Sequence, residues 1–243
     1  MQHRSIRGQI RYTSKKPERL DQERGREWFA FSHHRDGSCI FRAQCEIEEP
    51  EPTVLRDVIY HLGPDGSPRN LHVHLTVGDA YMGSGWLSVS RDENGGTVSC
   101  ESEGPSIGRL SQVLPFAGAI DGLGTHPVAS DAYMTKCMDL SRGPHRRTIR
   151  AYLPSPDHRG ATPPMAVEVL IDLEYLGEET VTVAAGTFAT RHFRFIDESA
   201  GGMGGTTHPH YDVWVTADDD AIFVQGGVGG YMQTWYELVE LTR

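Results

Sequence analysis

The sequence predicts an all-β fold, either a mainly antiparallel β-barrel or a strongly curved meander sheet, with one or two short helices in a middle insertion. Apolar and polar residues alternate over many short runs, as in strands with one buried and one exposed face. The 27 glycines and 14 prolines indicate many turns. Because β domains often exceed about 200 residues as one unit, we expect the 243 residues to form a single domain.

The N-terminal half of the sequence is predicted to form consecutive hairpins. Residues 1–26 are expected to form an arm or an edge strand. Asp36–Gly37 and Asp65–Gly66 each lie between two alternating runs, and an Asp-Gly pair is a strong hairpin signal. In the strand after the second turn, the odd-numbered apolar residues face one side, whereas His72 and His74 face the other.

Residues 105–164, in the middle of the chain, are predicted to form an insertion of loops and short helices that covers a pocket. Regular alternation fades here, and two short helices are expected near 107–113 and 130–138. Ser130 or Asp131 could cap the second helix, because a short polar side chain accepts the free amide hydrogens of a first turn. Long loops in a compact β domain are often functional.

The last third returns to strands and supports a resemblance. It contains YLGEETVTVAAGTFATRHFRF, a glycine-rich turn predicted at 201–205, and then YDVWVTADDDAIFVQGGVGGYMQTWYELVEL. These runs resemble the C-terminal half of the bacterial domain-of-unknown-function 3108 family, in the Gly-x-Glu-x-Val-x-Val-x-Ala-Gly-Thr-Phe segment, the Trp-containing strand and the closing Tyr-Glu-Leu strand. The resemblance implies a twisted antiparallel sheet or half-barrel and implies no particular activity.

Composition excludes several classes of partner. The net charge of −10 disfavours nucleic acid and anionic membrane surfaces, since both require a basic face. The charged start of the sequence has no apolar core of a signal peptide, and no run reaches the length of a membrane span, so we expect a cytoplasmic protein. The four cysteines show no CxxC spacing and are expected to be free thiols.

Two groups in the middle region are candidates for acid–base chemistry. The first is Asp157, His158 and Arg159, in a loop stiffened by prolines; a carboxylate can orient an imidazole as a general base, and an arginine can stabilise an oxyanion. Asp157 could instead cap a solvated turn. The second is His126, before a proline, with Asp131 or Tyr133 as its partner; here Asp131 could instead be a helix cap.

A set of rings is predicted to line one face of the meander as a substrate-binding wall. Such a face suits a planar apolar ligand with a hydroxyl group, although each ring taken singly could be core. The set is Trp86, His192, Tyr211, Trp214, Tyr231, Trp235 and Tyr236.

A metal site is an alternative interpretation of the histidine pattern. Residues two apart on a strand point the same way, so His72 and His74 could both bind one metal ion. Equally, both could line the polar face of a half-exposed strand, and ligand spacing alone is a frequent false positive.

Together these features predict a cofactor-independent enzyme that moves a proton on a small apolar molecule, aromatic or phenolic: a lyase, isomerase or hydratase of aromatic catabolism. His158 or His126 would be the base, with Asp157 or Asp131 as its partner. The alternatives are a non-catalytic small-molecule carrier and a metal-dependent enzyme that uses His72 and His74. Exposed strand edges make a homodimer reasonable.

Overall fold

Strands dominate the protein, whose computed structural model describes residues 3–197 and 207–243. The strands are β1 Arg4–Ser14, β2 Glu23–His33, β3 Cys39–Ile47, β4 Val54–Leu62, β5 Pro68–Val77, β6 Ala80–Arg91, β7 Gly95–Gly104, β8 Gly108–Ala117, β9 Gly122–Leu123, β10 His145–Leu153, β11 Val167–Val183, β12 Gly186–Ile196, β13 Tyr211–Thr216, β14 Phe223–Val228 and β15 Thr234–Thr242. The helical elements are α1 Val128–Met134 and the 3₁₀ turns Pro17–Arg19, Thr135–Cys137 and Leu140–Arg142.

All of these strands form one sheet. Its order from edge to edge is β8-β7-β6-β5-β4-β3-β2-β1-β15-β14-β13-β12-β11-β10-β9. Neighbours are antiparallel except β9 and β10, which run parallel. Among the described strands the edges β8 and β9 do not pair with each other, so the sheet is curved but open. The predicted mainly antiparallel, strongly curved sheet is confirmed.

The first strand lies in the middle of this sheet, so the prediction of an N-terminal arm or edge strand was wrong. β1 pairs with β2 on one side and with β15 on the other. The contact with β15 joins the two ends of the chain, and a pairing over so long a sequence separation leaves no local signal. β1 therefore links an N-terminal meander, β2–β8, to a C-terminal half.

The predicted hairpins and side-chain alternation are present. Gly37 and Gly66 have φ of 87° and 74° in the turns before β3 and β5, a conformation that glycine adopts without steric cost. On β5, Leu71, Val73 and Leu75 are buried. The intervening histidines are exposed, as predicted. This period of two sends one face of every strand into a common core inside the curve.

The middle region contains α1 and three strands, β8, β9 and β10. α1 and the 3₁₀ turn after it confirm the second predicted helix. The first predicted helix, near 107–113, was wrong, because this stretch belongs to β8, which pairs with β7 from Gly108 to Ala117. Its isolated apolar residues fit either period, and the pairing with β7 decides the outcome.

The glycine-rich turn predicted at 201–205 lies outside the described residues. In the described ranges, the helices are too short or too polar to cross a membrane.

Candidate functional site

Helix α1 separates two chambers inside the curved sheet. Val128 and Asp131 line a cavity of about 140 Å³, here called the inner cavity. Ser130 and Tyr133, on another side of the helix, line a larger cleft of about 610 Å³, here called the outer cleft. Met134 borders both chambers.

The inner cavity is the better candidate site although it is smaller. Its wall is largely apolar, formed by Leu153, Val169, Ile171, Phe195 and Val228 among others. The polar groups that face it are His126, Asp131, His158, Asp197, His208 and Tyr211. Three buried atoms of this set, His126 Nε2, His158 Nε2 and the Tyr211 hydroxyl, have no hydrogen-bond partner among the described residues. Buried polar atoms are normally paired, so these three indicate a ligand or ordered water.

His158 is presented to the cavity by the loop between β10 and β11. Its Nδ1 lies 2.6 Å from the hydroxyl of Tyr231, and the two rings are stacked. His208 approaches edge-on, with ring centroids 4.9 Å apart. In the tautomer with the proton on Nδ1, Nδ1 donates a hydrogen bond to the Tyr231 hydroxyl. Nε2 is then a free acceptor and can serve as a base.

Asp131 supplies a carboxyl group of unusual character. Removal from water raises its pKa well above the ordinary value, and the nearby Glu27 carboxylate raises it further. This raised pKa favours the protonated form of Asp131, and a neutral carboxyl group can donate a hydrogen bond.

His126 lies in the segment just before α1. Its φ of 71° is uncommon for a residue with a side chain and turns the chain into the helix. Burial lowers its pKa well below the ordinary value, and the positive charge of Arg56 adds to this effect. His126 is therefore a neutral imidazole at pH 7 and hydrogen-bonds without charge.

Helix α1 is anchored by Glu27, a fully buried residue of β2. One carboxylate oxygen accepts hydrogen bonds from the Tyr12 hydroxyl at 2.6 Å and from Val128 N at 2.8 Å. The other accepts from Ala129 N at 3.1 Å. Burial raises the pKa of Glu27 to about 7, against the lowering effect of these donors. This carboxylate takes the part of a helix cap.

The predicted cap at Ser130 or Asp131 was wrong. No side chain caps α1 from its own N-terminus, where Pro127 stands. The Ser130 hydroxyl bonds to Thr125 and to the Pro127 carbonyl, while Asp131 faces the cavity. A cap from another strand cannot be read from local sequence, because the donor and acceptor are about 100 residues apart.

The loop of His158 holds Asp157 and Arg159 in structural positions, which corrects their predicted catalytic roles. Asp157 Oδ1 accepts from Arg159 N and Ala161 N, both at 2.9 Å, so it caps the turn. The Arg159 guanidinium donates to the carbonyls of Pro50 and Pro52. Neither side chain lines the inner cavity. Adjacent residues of a tight turn point in different directions.

Gly160 is a point where this loop tolerates no side chain. Its φ is 62°, and a Cβ here would lie 2.2 Å from Arg56 Nη2 and 2.7 Å from His126 Cδ2. We expect Gly160→Ala to destabilise the protein by about 2–4 kcal/mol, from backbone strain plus overpacking. The measurement is urea denaturation. Gly66→Ala is the matched control, because Gly66 has a φ of 74° and open space around it; its cost should be about 1 kcal/mol. Equal losses in the two variants would contradict the steric account.

The predicted aromatic wall divides between the two faces of the sheet. Tyr211 faces the cavity, but Trp214 is three residues further along β13 and lies on the opposite face. There it stacks on His192, with ring centroids 4.0 Å apart. His192 Nε2 lies 2.7 Å from Asp212. The assignment of His192 and Trp214 to the pocket was therefore wrong, because residues an odd number apart cannot share a strand face.

The other predicted rings have various positions. Tyr236 lines the cavity. Tyr231 does not line it but contacts His158, which does. Tyr133 lines the outer cleft and stacks on Phe31. Trp86 is 56% exposed on the outer face of β6, so its predicted binding role is not supported by its position.

The alternative metal site also lies on the outer face. His72 and His74 are exposed, and His74 contacts Ser84 and stacks on Tyr81. Within the described residues, no group of three or more His, Cys, Asp or Glu side chains is arranged to hold a metal ion. The pair follows the pattern of a polar strand face.

Comparison with known proteins supports the fold alone. No family model matches the sequence, and no curated protein matches it. A β-barrel-like protein of domain-of-unknown-function family 1849 from Brucella abortus is similar in structure, with a TM-score of 0.60 at 10% identity, over 98% of this chain and 97% of its own. A candidate lipoprotein from Parabacteroides distasonis has a TM-score of 0.34 at 9% identity, covering 99% and 96%. A candidate exported protein with a YmcC-like fold from Bacteroides fragilis has 0.33 at 8%, covering 98% and 95%.

Proposed function

We propose that the inner cavity binds a small, mostly apolar molecule of one aromatic ring with a hydroxyl group, and that the protein moves a proton on it without a cofactor. The observation that carries this proposal is the convergence of His126 Nε2, His158 Nε2 and the Tyr211 hydroxyl, all without partners among the described residues, on one apolar cavity. A ligand with a single polar end would satisfy these atoms and bury its ring against the apolar wall.

The cavity volume limits the size of the ligand. An apolar cavity of about 150 Å³ holds one benzene molecule. The inner cavity, at about 140 Å³, is of similar size, so we expect it to hold one ring. A two-ring compound would need the loops around His158 and Met232 to move.

The polar groups divide naturally into a base, an acid and a positioning donor. His158 accepts a proton at Nε2 while Nδ1 donates to Tyr231. Asp131 is assigned as the general acid, because it lines the cavity and its raised pKa favours the protonated form. Tyr211 orients the ligand, since burial and the neighbouring Asp131 raise the pKa of its hydroxyl and keep it a donor. Acid–base pairs of this kind contribute about 10²- to 10⁴-fold to a rate.

Binding is tested with phenol and the variant Tyr211→Phe. Loss of one buried hydroxyl partner should weaken binding about ten-fold, measured by calorimetry. Tyr175→Phe is the matched control, because Tyr175 is buried on β11 but does not line the cavity; its affinity should equal wild type. Absence of phenol binding to wild type, or equal losses in both variants, would contradict the proposed site.

Proton transfer is tested separately by hydrogen exchange into a bound molecule. 4-Hydroxyacetophenone has methyl hydrogens beside a carbonyl, which a general base can remove and a general acid can replace. In D2O, an enzyme of the proposed kind should replace these hydrogens with deuterium, seen as loss of the methyl signal by NMR.

A carrier protein is the second candidate, favoured by the largely apolar wall and by pKa shifts that favour the uncharged forms of His126 and Asp131. It would retain one-ring compounds through purification, as seen by mass spectrometry of an organic extract. It would bind 4-hydroxyacetophenone without any exchange, which separates it from the enzyme.

The remaining expectations stay predictions. They are the relationship to the domain-of-unknown-function 3108 family, the cytoplasmic location, the homodimer and the absence of a nucleic-acid or membrane partner.

A further inference from the structure

Arg56 is the largest fully buried side chain of the protein, at 1% exposure. It lies on β4 between Val54 and Val58, at a position whose alternation sends the side chain into the core. Among the described residues it forms no ion pair with a carboxylate. Glu27 is near enough for the charge of Arg56 to lower its pKa, but a buried charge without a direct ion pair is still costly to remove from water. The energetic cost of burying Arg56 suggests that its side chain has a specific role.

The guanidinium group holds the loop that carries His158. Its Nη2 donates to the carbonyl of Arg159 at 2.5 Å and to that of Gly160 at 2.9 Å. Its Nη1 lies 3.4 Å from Cys45 Sγ. The forked shape of arginine lets it serve two backbone acceptors and the thiol together, which the single ammonium of lysine does less well. Arg56 therefore holds the loop from the core, in addition to the bonds that Arg159 makes to Pro50 and Pro52.

The charge of Arg56 also acts on the groups around the cavity. The titratable and charged groups that surround it are Glu27 on β2, Cys45 on β3, His126 before α1 and Arg159 in the loop. Its positive charge lowers the pKa of His126 and of Glu27. A Cβ added at Gly160 would lie 2.2 Å from Arg56 Nη2 and 2.7 Å from His126 Cδ2, so the guanidinium lies close to the imidazole of His126, which lines the cavity.

We propose that Arg56 is the positioning residue of the inner cavity: it fixes the His158 loop, and its buried charge favours an anionic oxygen on the bound molecule. The ligand class is thereby narrowed to hydroxyl compounds that ionise, such as phenols, and to the oxyanions formed from them. This inference rests on the proposed function for its ligand. Arg56 takes the oxyanion-stabilising role that the sequence analysis gave to Arg159. It does not line the cavity, so its charge acts on the oxyanion through space and without direct contact.

The test compares Arg56→Gln, which is polar but carries no charge, with Arg56→Lys, which keeps the charge. The first measurement needs no ligand. NMR titration of His126 should show a higher imidazole pKa in Arg56→Gln than in wild type, and a wild-type value in Arg56→Lys. An unchanged pKa in Arg56→Gln, or the same rise in both variants, would overturn the role of the charge. If Arg56→Gln fails to fold, Arg56→Met takes its place in the same titration, and failure of both neutral variants to fold would overturn the positioning role in favour of a purely structural one.

The second measurement uses 4-nitrophenol, whose phenolate absorbs visible light. The ratio of phenolate to phenol in the bound probe at pH 7 should fall on the order of ten-fold in Arg56→Gln, as expected for loss of a unit charge about 10 Å away at an effective dielectric constant of about 20. Arg56→Lys should preserve the ratio. An unchanged ratio would overturn the inference while leaving binding intact. Failure of 4-nitrophenol to bind would instead overturn the proposed function, and the His126 titration would still decide the role of Arg56.

Discussion

Glu27→Ala is expected to lower the free energy of unfolding by about 3–5 kcal/mol. The substitution leaves the Tyr12 hydroxyl and the amide hydrogens of Val128 and Ala129 buried without an acceptor. It also removes the anchor of α1, which forms the wall between the two chambers. Urea denaturation at pH 6 measures the loss. Glu23→Ala, on the same strand but exposed, should cost less than about 1 kcal/mol; similar costs for both would contradict the anchoring role.

Glu27→Gln is the second control and tests the charge state. The folded-state pKa of Glu27 is raised from 4.5 to about 7, so the folded protein binds this proton more tightly than the unfolded chain. Stability from this group is therefore lost as pH rises from about 4.5 to about 7. Glutamine does not titrate, so Glu27→Gln should gain stability relative to wild type across that range, by at most about 1.4 kcal/mol per pH unit. A constant difference between the two proteins would contradict the raised pKa.

His158→Gln is expected to slow deuterium exchange into 4-hydroxyacetophenone by at least about 100-fold, because the base at Nε2 is lost. Phenol binding should weaken by no more than about ten-fold, since only one polar contact is removed. Comparison of exchange rates with affinities therefore separates a catalytic role from a binding role.

The matched variant is His74→Gln, on the outer face. We expect a wild-type exchange rate. A large loss in His74→Gln with little effect of His158→Gln would contradict the inner-cavity site and favour the metal-dependent alternative.

Much of the fold is visible in local sequence, because turns and period-two alternation are local properties. Asp36–Gly37 and Asp65–Gly66 mark two hairpins, and the alternation on β5 separates its buried and exposed faces. The pairing of β1 with β15 is not visible, since it depends on contacts between the two ends of the chain. β8 is ambiguous by itself and becomes a strand through β7.

The site is only partly predictable for the same reason. His126, Asp131, His158 and Tyr211 were each proposed from the sequence, and the structure brings all four to one cavity. His192 and Trp214 could have been excluded by counting residues along their strands from the inward-facing Phe193 and Tyr211.

Glu27 and Arg56 were missed although they carry a signal. Each occupies an apolar position in an alternating run: Glu27 precedes Phe29 and Phe31, and Arg56 lies between valines. A charged residue on the inward face of a strand requires a buried partner or a function, and it therefore marks a site. His208 was missed, because its contact with His158 depends on the fold.

The most direct measurement is a crystal structure of the protein soaked with phenol. The proposed function predicts one phenol molecule in the inner cavity, its ring against Ile171 and Phe195 and its hydroxyl within hydrogen-bonding distance of at least one of His126 Nε2, His158 Nε2 and the Tyr211 hydroxyl. A cavity that holds only ordered water on these three atoms, with phenol absent or bound elsewhere, would contradict it.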